Sequence, residues 1–341
     1  MINKERKSNI ELFRILLILM VIILHYFNAS MGGALGHIAP GSINYYFVHF
    51  MESICIVAVN CFVLITGFFS YKKKKVRVAK ITNLVLVMIF WGLFLSLLTI
   101  LLLRPEIIKN KQLVGNIIGT AINQWFVIIY CILYLLIPFL NKISNNISQN
   151  SYKTLLVIGL IFFYLWPSFY TKITVSDAGY GIVNFVYLYF IGAYIRKYHE
   201  NDKHILSSLI IYLGCALITT LASLKIGRAW DYNFIFNLIG SVALFEVFRS
   251  INIKHSKVIN KLATYTFAVY LIDVNSFFNI YLYRTLFHSN NYWNSNGMFL
   301  NLIVTTIGIY VICIILESLR VLLFGKGFKW LSNKVKLVVE A

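Results

Sequence analysis

The sequence predicts an all-α membrane protein, a bundle of about ten transmembrane helices, on three observations. Of its 341 residues, 59% are hydrophobic and only 13% are charged, far fewer charges than a soluble domain carries. The apolar residues fall in runs long enough to cross about 30 Å of hydrocarbon as helix. Within these runs, for example residues 15–24, apolar residues do not alternate with polar ones as they would in membrane β-barrel strands. Because lipid cannot satisfy backbone polar groups, we expect the spans to be helices.

The first predicted span follows a basic N-terminus, as the core of a signal peptide would. No small-residue cleavage site is convincing and further apolar runs follow, so we interpret it as an uncleaved helix. We predict a single membrane domain over residues 1–341 with no separate soluble domain. Residues 113–122 are too few to cross and are expected to be re-entrant or interfacial. The predicted spans are residues 10–29, 45–70, 80–103, 124–140, 154–170, 181–196, 205–224, 232–249, 258–283 and 298–324.

Loop charge predicts how these spans are oriented. With the N-terminus placed inside, 23 of the 31 Lys and Arg residues fall in inner loops and tails. This asymmetry follows the positive-inside rule and predicts a multi-pass protein of the cell membrane with both termini in the cytoplasm. The rule also explains the net charge of +19 better than nucleic-acid binding does, since basic loops meet anionic lipid. The five cysteines lie unpaired in apolar runs and are interpreted as packing residues.

The first helix carries the most informative polar residues, Glu11, Arg14 and His25. His25 follows Arg14 after about 1,100° of helical rotation, so the two lie within about 20° of one face and about 16 Å apart along the axis. Glu11 lies one turn before Arg14 on the same side. Because charged groups in hydrocarbon are costly, we expect this face to line the bundle interior or a wet cavity.

Two interpretations of this face remain open. In one, Arg14 binds phosphate at the cytoplasmic rim, and His25 acts near mid-membrane as a general base or transient acyl carrier. In the other, Arg14 reaches the headgroups and His25 hydrogen-bonds a neighbouring helix. Asp273, inside the ninth predicted span, either orients His25 or an acceptor hydroxyl, or balances a cation structurally.

Three further carboxylates fall in predicted spans. Glu317 precedes Arg320 by one turn and Glu246 precedes Arg249 by one turn, so we predict two local ion pairs with structural roles. Glu52 has no such local partner. Aromatic residues make up 16% of the chain, and most are expected to pack or to form interfacial belts. The candidates for stacking on sugar rings near the outer mouths are Trp230, Tyr232, Tyr292 and Trp293.

Five segments follow one another as a recognisable set of motifs. The first is Arg14 and His25 with ten residues between them. The second is NCFVLITGFF, a Phe-rich stretch that ends in Thr-Gly-aromatic and precedes basic residues. The others are QWFVIIYCILYLLIPFL, YFIGAYIRK and TYTFAVYLID, at residues 124–140, 189–197 and 264–273. This ordered set covers the chain end to end and resembles the acyltransferase-3 family of integral membrane acyltransferases, many of which O-acetylate bacterial surface polysaccharides.

The resemblance implies a membrane O-acyltransferase. The donor would be acyl-CoA, most often acetyl-CoA, and the acceptor a hydroxyl of a cell-surface polysaccharide or lipid-linked saccharide. Arg14 maps onto the donor-binding arginine and His25 onto the catalytic histidine, whereas Asp273 stands where the family often has His. The predicted site residues are His25, Asp273 and Glu11 for catalysis and Arg14, Lys72 and Lys73 for the donor.

Two other classes of function fit the sequence less well. A transporter or flippase of a lipid-linked saccharide would often show inverted repeats and Gly/Pro-broken helices, which are not evident. A glycan polymerase would place its working residues in a large external loop, and the longest predicted outer loop is only residues 104–123. We expect no metal, since the sequence lacks clusters with metal-ligand spacing.

Overall fold

The computed structural model describes residues 6–103, 112–170, 177–200 and 202–341, and this part of the chain is nearly all helical. The predicted outer loop at 104–123 falls partly on residues 104–111, which lie outside the described residues. Seven helical stretches of the described part are long and apolar enough to cross a membrane, which confirms the helical membrane class. They are Ser8–Phe27, Ile43–Ser70, Val78–Leu102, Leu113–Asn146, Gln149–Phe169, Ile205–Ser223 and Met298–Asn333.

The helices and strands have the following bounds in chain order. The first half contains α1 (Ser8–Phe27), α2 (Ala34–His37), α3 (Ile43–Cys55), α4 (Ala58–Ser70), β1 (Lys75–Arg77), α5 (Val78–Leu98), α6 (Leu113–Ile122), α7 (Trp125–Asn146), α8 (Gln149–Leu160) and α9 (Trp166–Phe169). The second half contains α10 (Ile182–Tyr198), α11 (Ile205–Ser223), α12 (Ile235–Ser250), α13 (Lys257–Leu262), α14 (Thr266–Asp273), α15 (Phe278–Ile280), α16 (Met298–Asn333) and β2 (Val338–Glu340).

Helix α1 lies inside the bundle, where it contacts α3, α4, α14 and α16. Between Arg14 and His25 its sequence is wholly apolar, so this stretch can be surrounded by other helices without burying a polar side chain. Its first turn is tied to the end of α12 by the Asn9 amide, which donates to the Phe248 carbonyl at 2.9 Å and the Ile251 carbonyl at 3.0 Å. Protein therefore covers most of α1, which suits the polar groups that it carries.

The second predicted span forms two helices, α3 and α4, and α4 packs closely against α10. A Cβ atom at Gly67 would lie 2.3 Å from the Tyr189 carbonyl oxygen. A Cβ atom at Gly192 would lie 2.3 Å from the Leu64 carbonyl oxygen. Glycine at both positions therefore permits an approach of the two backbones that any larger residue would prevent.

Residues 258–283, predicted as one span, do not form a continuous helix. Helix α14 ends at Asp273, and helical structure resumes only at Phe278. The Oδ1 atom of Asn275 accepts the backbone N–H groups of Phe277 and Phe278, both at 3.1 Å. Because this side chain competes for backbone donors, it ends one helix and begins the next, which places Asp273 at a helix terminus.

Helices α10 and α12 occupy the places of the predicted spans 181–196 and 232–249, but they have only 17 and 16 residues. That corresponds to about 24–26 Å of helix, which is less than a hydrocarbon layer of about 30 Å. Helix α6, at the segment predicted to be re-entrant or interfacial, is a separate helix that packs against α5. The predicted count of about ten spans therefore exceeds the seven stretches of the described residues that are long and apolar enough to cross.

Two short strands bring the C-terminal end of the chain against the segment that follows α4. Strand β2 pairs antiparallel with β1, with Val339 opposite Val76. The Val78 N–H group extends the ladder by donating to the Leu337 carbonyl at 3.0 Å. Val76 is buried, so the pairing also covers an apolar side chain.

Candidate active site

His25 and Asp273 form a hydrogen-bonded pair inside the bundle. His25 lies in the last turn of α1, and its Nδ1 atom is 2.6 Å from Asp273 Oδ2 at the end of α14. The Asp273 side chain is fully buried, and Tyr283 donates its hydroxyl to the other carboxylate oxygen at 2.7 Å. His25 Nε2 makes no hydrogen bond to a described residue. The carboxylate therefore fixes the orientation of the imidazole and leaves one ring nitrogen for a ligand.

A cavity of about 960 Å³ runs along α1. Arg14 and His25 both line it, so the structure confirms that their shared helix face meets one cavity. One part of the wall, named here the basic end, contains Arg14, Lys73, Arg77, Lys80 and Lys329. Another part, named here the aromatic end, contains Glu52, Trp125, Tyr180 and Tyr232.

Helix α7 shows how far apart the two ends are. Trp125 begins α7 at the aromatic end. Later in the same helix, Asn141 donates its amide to the carbonyls of Ser70 at 2.7 Å and Lys73 at 2.9 Å, at the basic end. The intervening helix is about 24 Å long, so the cavity reaches through most of a bilayer core of about 30 Å.

The basic end gathers cations that are only partly paired. Arg14 Nε is buried and has no hydrogen-bond partner among the described residues. Lys73 donates from Nζ to Ser70 Oγ at 2.8 Å. Burial lowers the pKa of Lys73 to about 8, and the nearby cations Lys80 and Arg14 add to this effect. An anion placed between these groups would relieve their mutual repulsion and satisfy the free guanidinium donor.

The aromatic end combines ring faces with a buried carboxylate. The centroids of the Trp125 and Tyr180 rings are 4.8 Å apart, as are those of Tyr180 and Tyr232. Glu52 Oε2 is buried and has no hydrogen-bond partner within the described part of the chain. Since a buried carboxylate oxygen is costly when it is unsatisfied, a ligand that donates a hydrogen bond there would be favoured.

Three predicted site residues are not among the described residues that line the cavity: Asp273, which contacts the lining residue His25, and Glu11 and Lys72. Glu11 Oε2 is 3.7 Å from Arg6 Nη1, so Glu11 contacts Arg6 although Arg14 lies one turn away on the same side of α1. Lys72 Nζ lies 5.5 Å from the Tyr71 ring centroid. The geometry therefore gives no support to the predicted roles of Glu11 and Lys72.

The two predicted local ion pairs are confirmed. Arg320 Nη2 lies 2.6 Å from Glu317 Oε1, and Glu317 Oε2 also accepts the Trp91 indole N–H at 3.0 Å. Arg249 donates from Nε to both carboxylate oxygens of Glu246 at 3.1 Å. Both carboxylates have a cationic partner one turn away, which is the structural role that their spacing predicts.

Several residues of the cavity wall had no assigned role in the sequence. Arg77 and Lys80 were visible only as loop charge, and Trp125 only as part of an aromatic-rich motif. Lys329 was likewise visible only as charge of the C-terminal tail, and Tyr180 has no local signal, because only the packing of distant segments brings it to the wall. Of the four aromatic candidates for sugar stacking, Tyr232 is a described residue of the wall.

Comparison with known proteins places the chain in a family. Among the described residues, no group of three or more His, Cys, Asp and Glu side chains is arranged to hold a metal ion. No curated protein and no solved structure matches the chain. A family model described as an acyltransferase domain, that of the acyltransferase-3 family, matches residues 7–318. Since the match covers most of the chain, the protein belongs to the acyltransferase-3 family and is a membrane acyltransferase.

Proposed function

We propose that the protein is an O-acyltransferase that moves an acyl group, most often acetyl, from acyl-CoA to a hydroxyl of a cell-surface polysaccharide or lipid-linked saccharide. The observation that carries this proposal is one cavity that joins a cluster of cations to the His25–Asp273 pair. Acyl-CoA carries phosphates at one end and a thioester at the tip of a long arm. Such a donor needs a cationic site and a distant reactive site within one continuous space.

The basic end suits the phosphates of this donor. Arg14 offers a buried Nε–H donor that has no partner among the described residues, and guanidinium geometry matches phosphate oxygens. Lys73 adds an ammonium from the loop after α4. His25 lies about 16 Å further along α1, a distance that a pantetheine arm can span in an extended form. The thioester then reaches the imidazole while the phosphates stay among the cations.

His25 acts as the general base in this proposal. Its Nε2 atom takes the proton of the acceptor hydroxyl as that oxygen attacks the thioester carbonyl. A C–O bond forms, the C–S bond breaks, and the departing CoA sulfur receives the proton from the imidazolium. Asp273 stabilises the imidazolium through Nδ1, and the Tyr283 hydroxyl holds Asp273 in place.

The acceptor enters from the aromatic end. Its hydroxyl groups can donate to Glu52 Oε2, which lacks a partner among the described residues. The apolar faces of a sugar ring can pack on Trp125, Tyr180 and Tyr232. Donor and acceptor thus approach His25 from different parts of the same cavity.

The basic end faces the cytoplasm in this proposal, where acyl-CoA is made. The support is the positive-inside rule, because the loops near this end carry most of the Lys and Arg residues. In that arrangement both termini are cytoplasmic and the protein lies in the cell membrane with about ten spans. The shorter helices α10 and α12 cross as partly covered members of the bundle.

The test is acyl transfer by the purified protein in lipid nanodiscs. Radiolabelled acetyl-CoA is supplied together with surface glycan isolated from cells that lack the protein, and label in the glycan is measured. We expect His25→Gln to lower transfer by at least about a hundredfold, because the general base is lost.

The matched control is His37→Gln. His37 lies ten residues beyond the end of α1, is exposed, and contacts the Gly33 carbonyl rather than the cavity. This variant should transfer label at the wild-type rate. Transfer by His25→Gln at that same rate, or wild-type protein that leaves the glycan unlabelled, would refute the proposal.

A further inference from the structure

The chain after residue 318 lies beyond the residues that the family model matches. It continues α16 to Asn333 and then forms β2. Its lysines are Lys326, Lys329, Lys334 and Lys336. Of these, Lys329 lines the cavity at the basic end, together with Ser332 and Asn333. A segment outside the matched domain therefore contributes to the wall of the proposed donor site.

The strand pair holds this segment in place. Val338 of β2 lies opposite Arg77 of β1, and Arg77 itself lines the basic end. The short connection from Asn333 to β2 therefore keeps the end of α16 beside the loop that carries Lys73. Lys329 is itself exposed and adds little packing. Without the strand pair, the last turns of α16 would therefore have fewer contacts to hold them beside the cavity.

The charges at the basic end favour the binding of an anion. Cations reach it from α1, from the loop after α4, from β1 and α5, and from the end of α16. Glu52, at the aromatic end, is the one carboxylate among the described residues of the cavity wall. Like charges held together without a counter-ion repel one another, so this arrangement costs free energy until a polyanion binds.

We propose that the segment after residue 318 completes the donor site, with Lys329 binding a phosphate of the nucleotide part of acyl-CoA and the β1–β2 pairing holding Lys329 in position. This inference rests on the proposed function, because it takes acyl-CoA as the donor. Ser332 and Asn333 supply further hydrogen-bonding groups beside Lys329. The phosphate of an anionic lipid headgroup shares this chemistry, so the experiment separates the two sources.

The experiment measures binding of a CoA thioether, which cannot be hydrolysed, to the full-length protein. Nanodiscs are made either of phosphatidylcholine alone or with added phosphatidylglycerol. We expect Lys329→Gln to raise Kd for the thioether roughly tenfold in phosphatidylcholine discs, as for loss of a charge-assisted hydrogen bond. Lys326→Gln is the matched control: it removes the same charge one turn earlier, from a side chain outside the described cavity wall, and should leave Kd within about twofold.

A second variant tests the strand pair without changing charge. Val339→Pro removes a backbone N–H from β2 and disfavours its pairing with Val76. We expect it to weaken binding of the thioether several-fold, and we expect Lys329→Gln to add little in the double variant because the two changes act on one interaction.

The outcomes separate the two proposals. Wild-type protein that fails to bind the thioether removes the proposed function and this inference together. Wild-type binding that is unchanged in both Lys329→Gln and Val339→Pro removes this inference alone. An equal effect of Lys329→Gln and Lys326→Gln would mean that general surface charge attracts the thioether, and it would overturn the inference. An effect of Lys329→Gln that occurs only with phosphatidylglycerol present would mean that Lys329 binds lipid, and it would overturn the inference as well.

Discussion

The two ends of the cavity differ in the kind of interaction that they offer a ligand. The basic end is a set of cations, several of them close in sequence between Lys73 and Lys80. The aromatic end takes Glu52 from α3, Trp125 from α7, and Tyr180 and Tyr232 from segments before α10 and α12. Charge acts over distance and tolerates loose placement, whereas ring stacking and a single buried oxygen require exact shape.

This difference suggests a division of labour. A polyanionic donor can be attracted by a cluster whose members are partly exposed, and its long arm absorbs small errors of position. A saccharide acceptor must instead be recognised by contacts close to the reacting hydroxyl. In the proposed mechanism both substrates react at the His25–Asp273 pair, so its loss should lower turnover even when both ends of the cavity are intact.

The largest effect is expected for Asp273→Asn. The change keeps the side-chain shape but removes the charge that holds and stabilises the protonated imidazole, so kcat should fall about a hundredfold or more. Steady-state kinetics with varied acetyl-CoA and glycan should show little change in KM for either substrate. Nearly normal turnover in this variant would mean that His25 does not need its carboxylate partner.

The next largest effect is expected for Arg14→Gln, which tests the basic end of the cavity. Loss of the guanidinium, whose Nε atom is buried, should raise KM for acetyl-CoA about ten- to a hundredfold, as for a charge-assisted hydrogen bond to phosphate. The KM for glycan should stay within about twofold. The matched control is Lys72→Gln, which removes a nearby charge whose side chain lies against Tyr71. Equal effects of both variants would point to general surface charge.

Glu52→Ala tests the aromatic end in the same assay. Removing this buried oxygen, which no described residue hydrogen-bonds, should raise KM for the glycan about tenfold and leave KM for acetyl-CoA unchanged. The two variants, at Arg14 and Glu52, then separate donor from acceptor kinetics. A rise in the KM for acetyl-CoA instead would show that the two ends are not functionally distinct.

The smallest effect concerns pH. Burial lowers the pKa of Lys73 to about 8, so its ammonium is largely present at about pH 7 and largely lost by about pH 9. The donor phosphates stay ionised over this range, because a phosphate monoester has a second pKa of about 6 and the diphosphate bridge is ionised at still lower pH. Affinity for a CoA thioether should therefore fall several-fold as pH rises through about 8. Lys73→Arg, which stays charged, should flatten this dependence, and an unchanged profile in that variant would exclude Lys73 as its source.

Composition and local periodicity explain which features of the protein could be predicted from the sequence alone. Composition and long apolar runs predict helices in lipid, because a helix satisfies its backbone hydrogen bonds within one segment and because these runs lack the polar–apolar alternation of barrel strands. The positions of Arg14 and His25 on one face of α1 follow from the helical repeat alone, and the structure places both on one cavity. The pairing of Glu317 with Arg320 follows from the same repeat.

The tertiary structure determines which residues contact the Arg14–His25 face of α1. The His25–Asp273 contact joins residues 248 positions apart, and it depends on α14 ending where Asn275 interrupts the helix. Glu11 shows the limit of local spacing, because it lies one turn from Arg14 yet contacts Arg6. A helical repeat fixes which side chains share a face, but only the packing of distant segments fixes the partners of that face, since contact energies depend on neighbours that the local sequence does not contain.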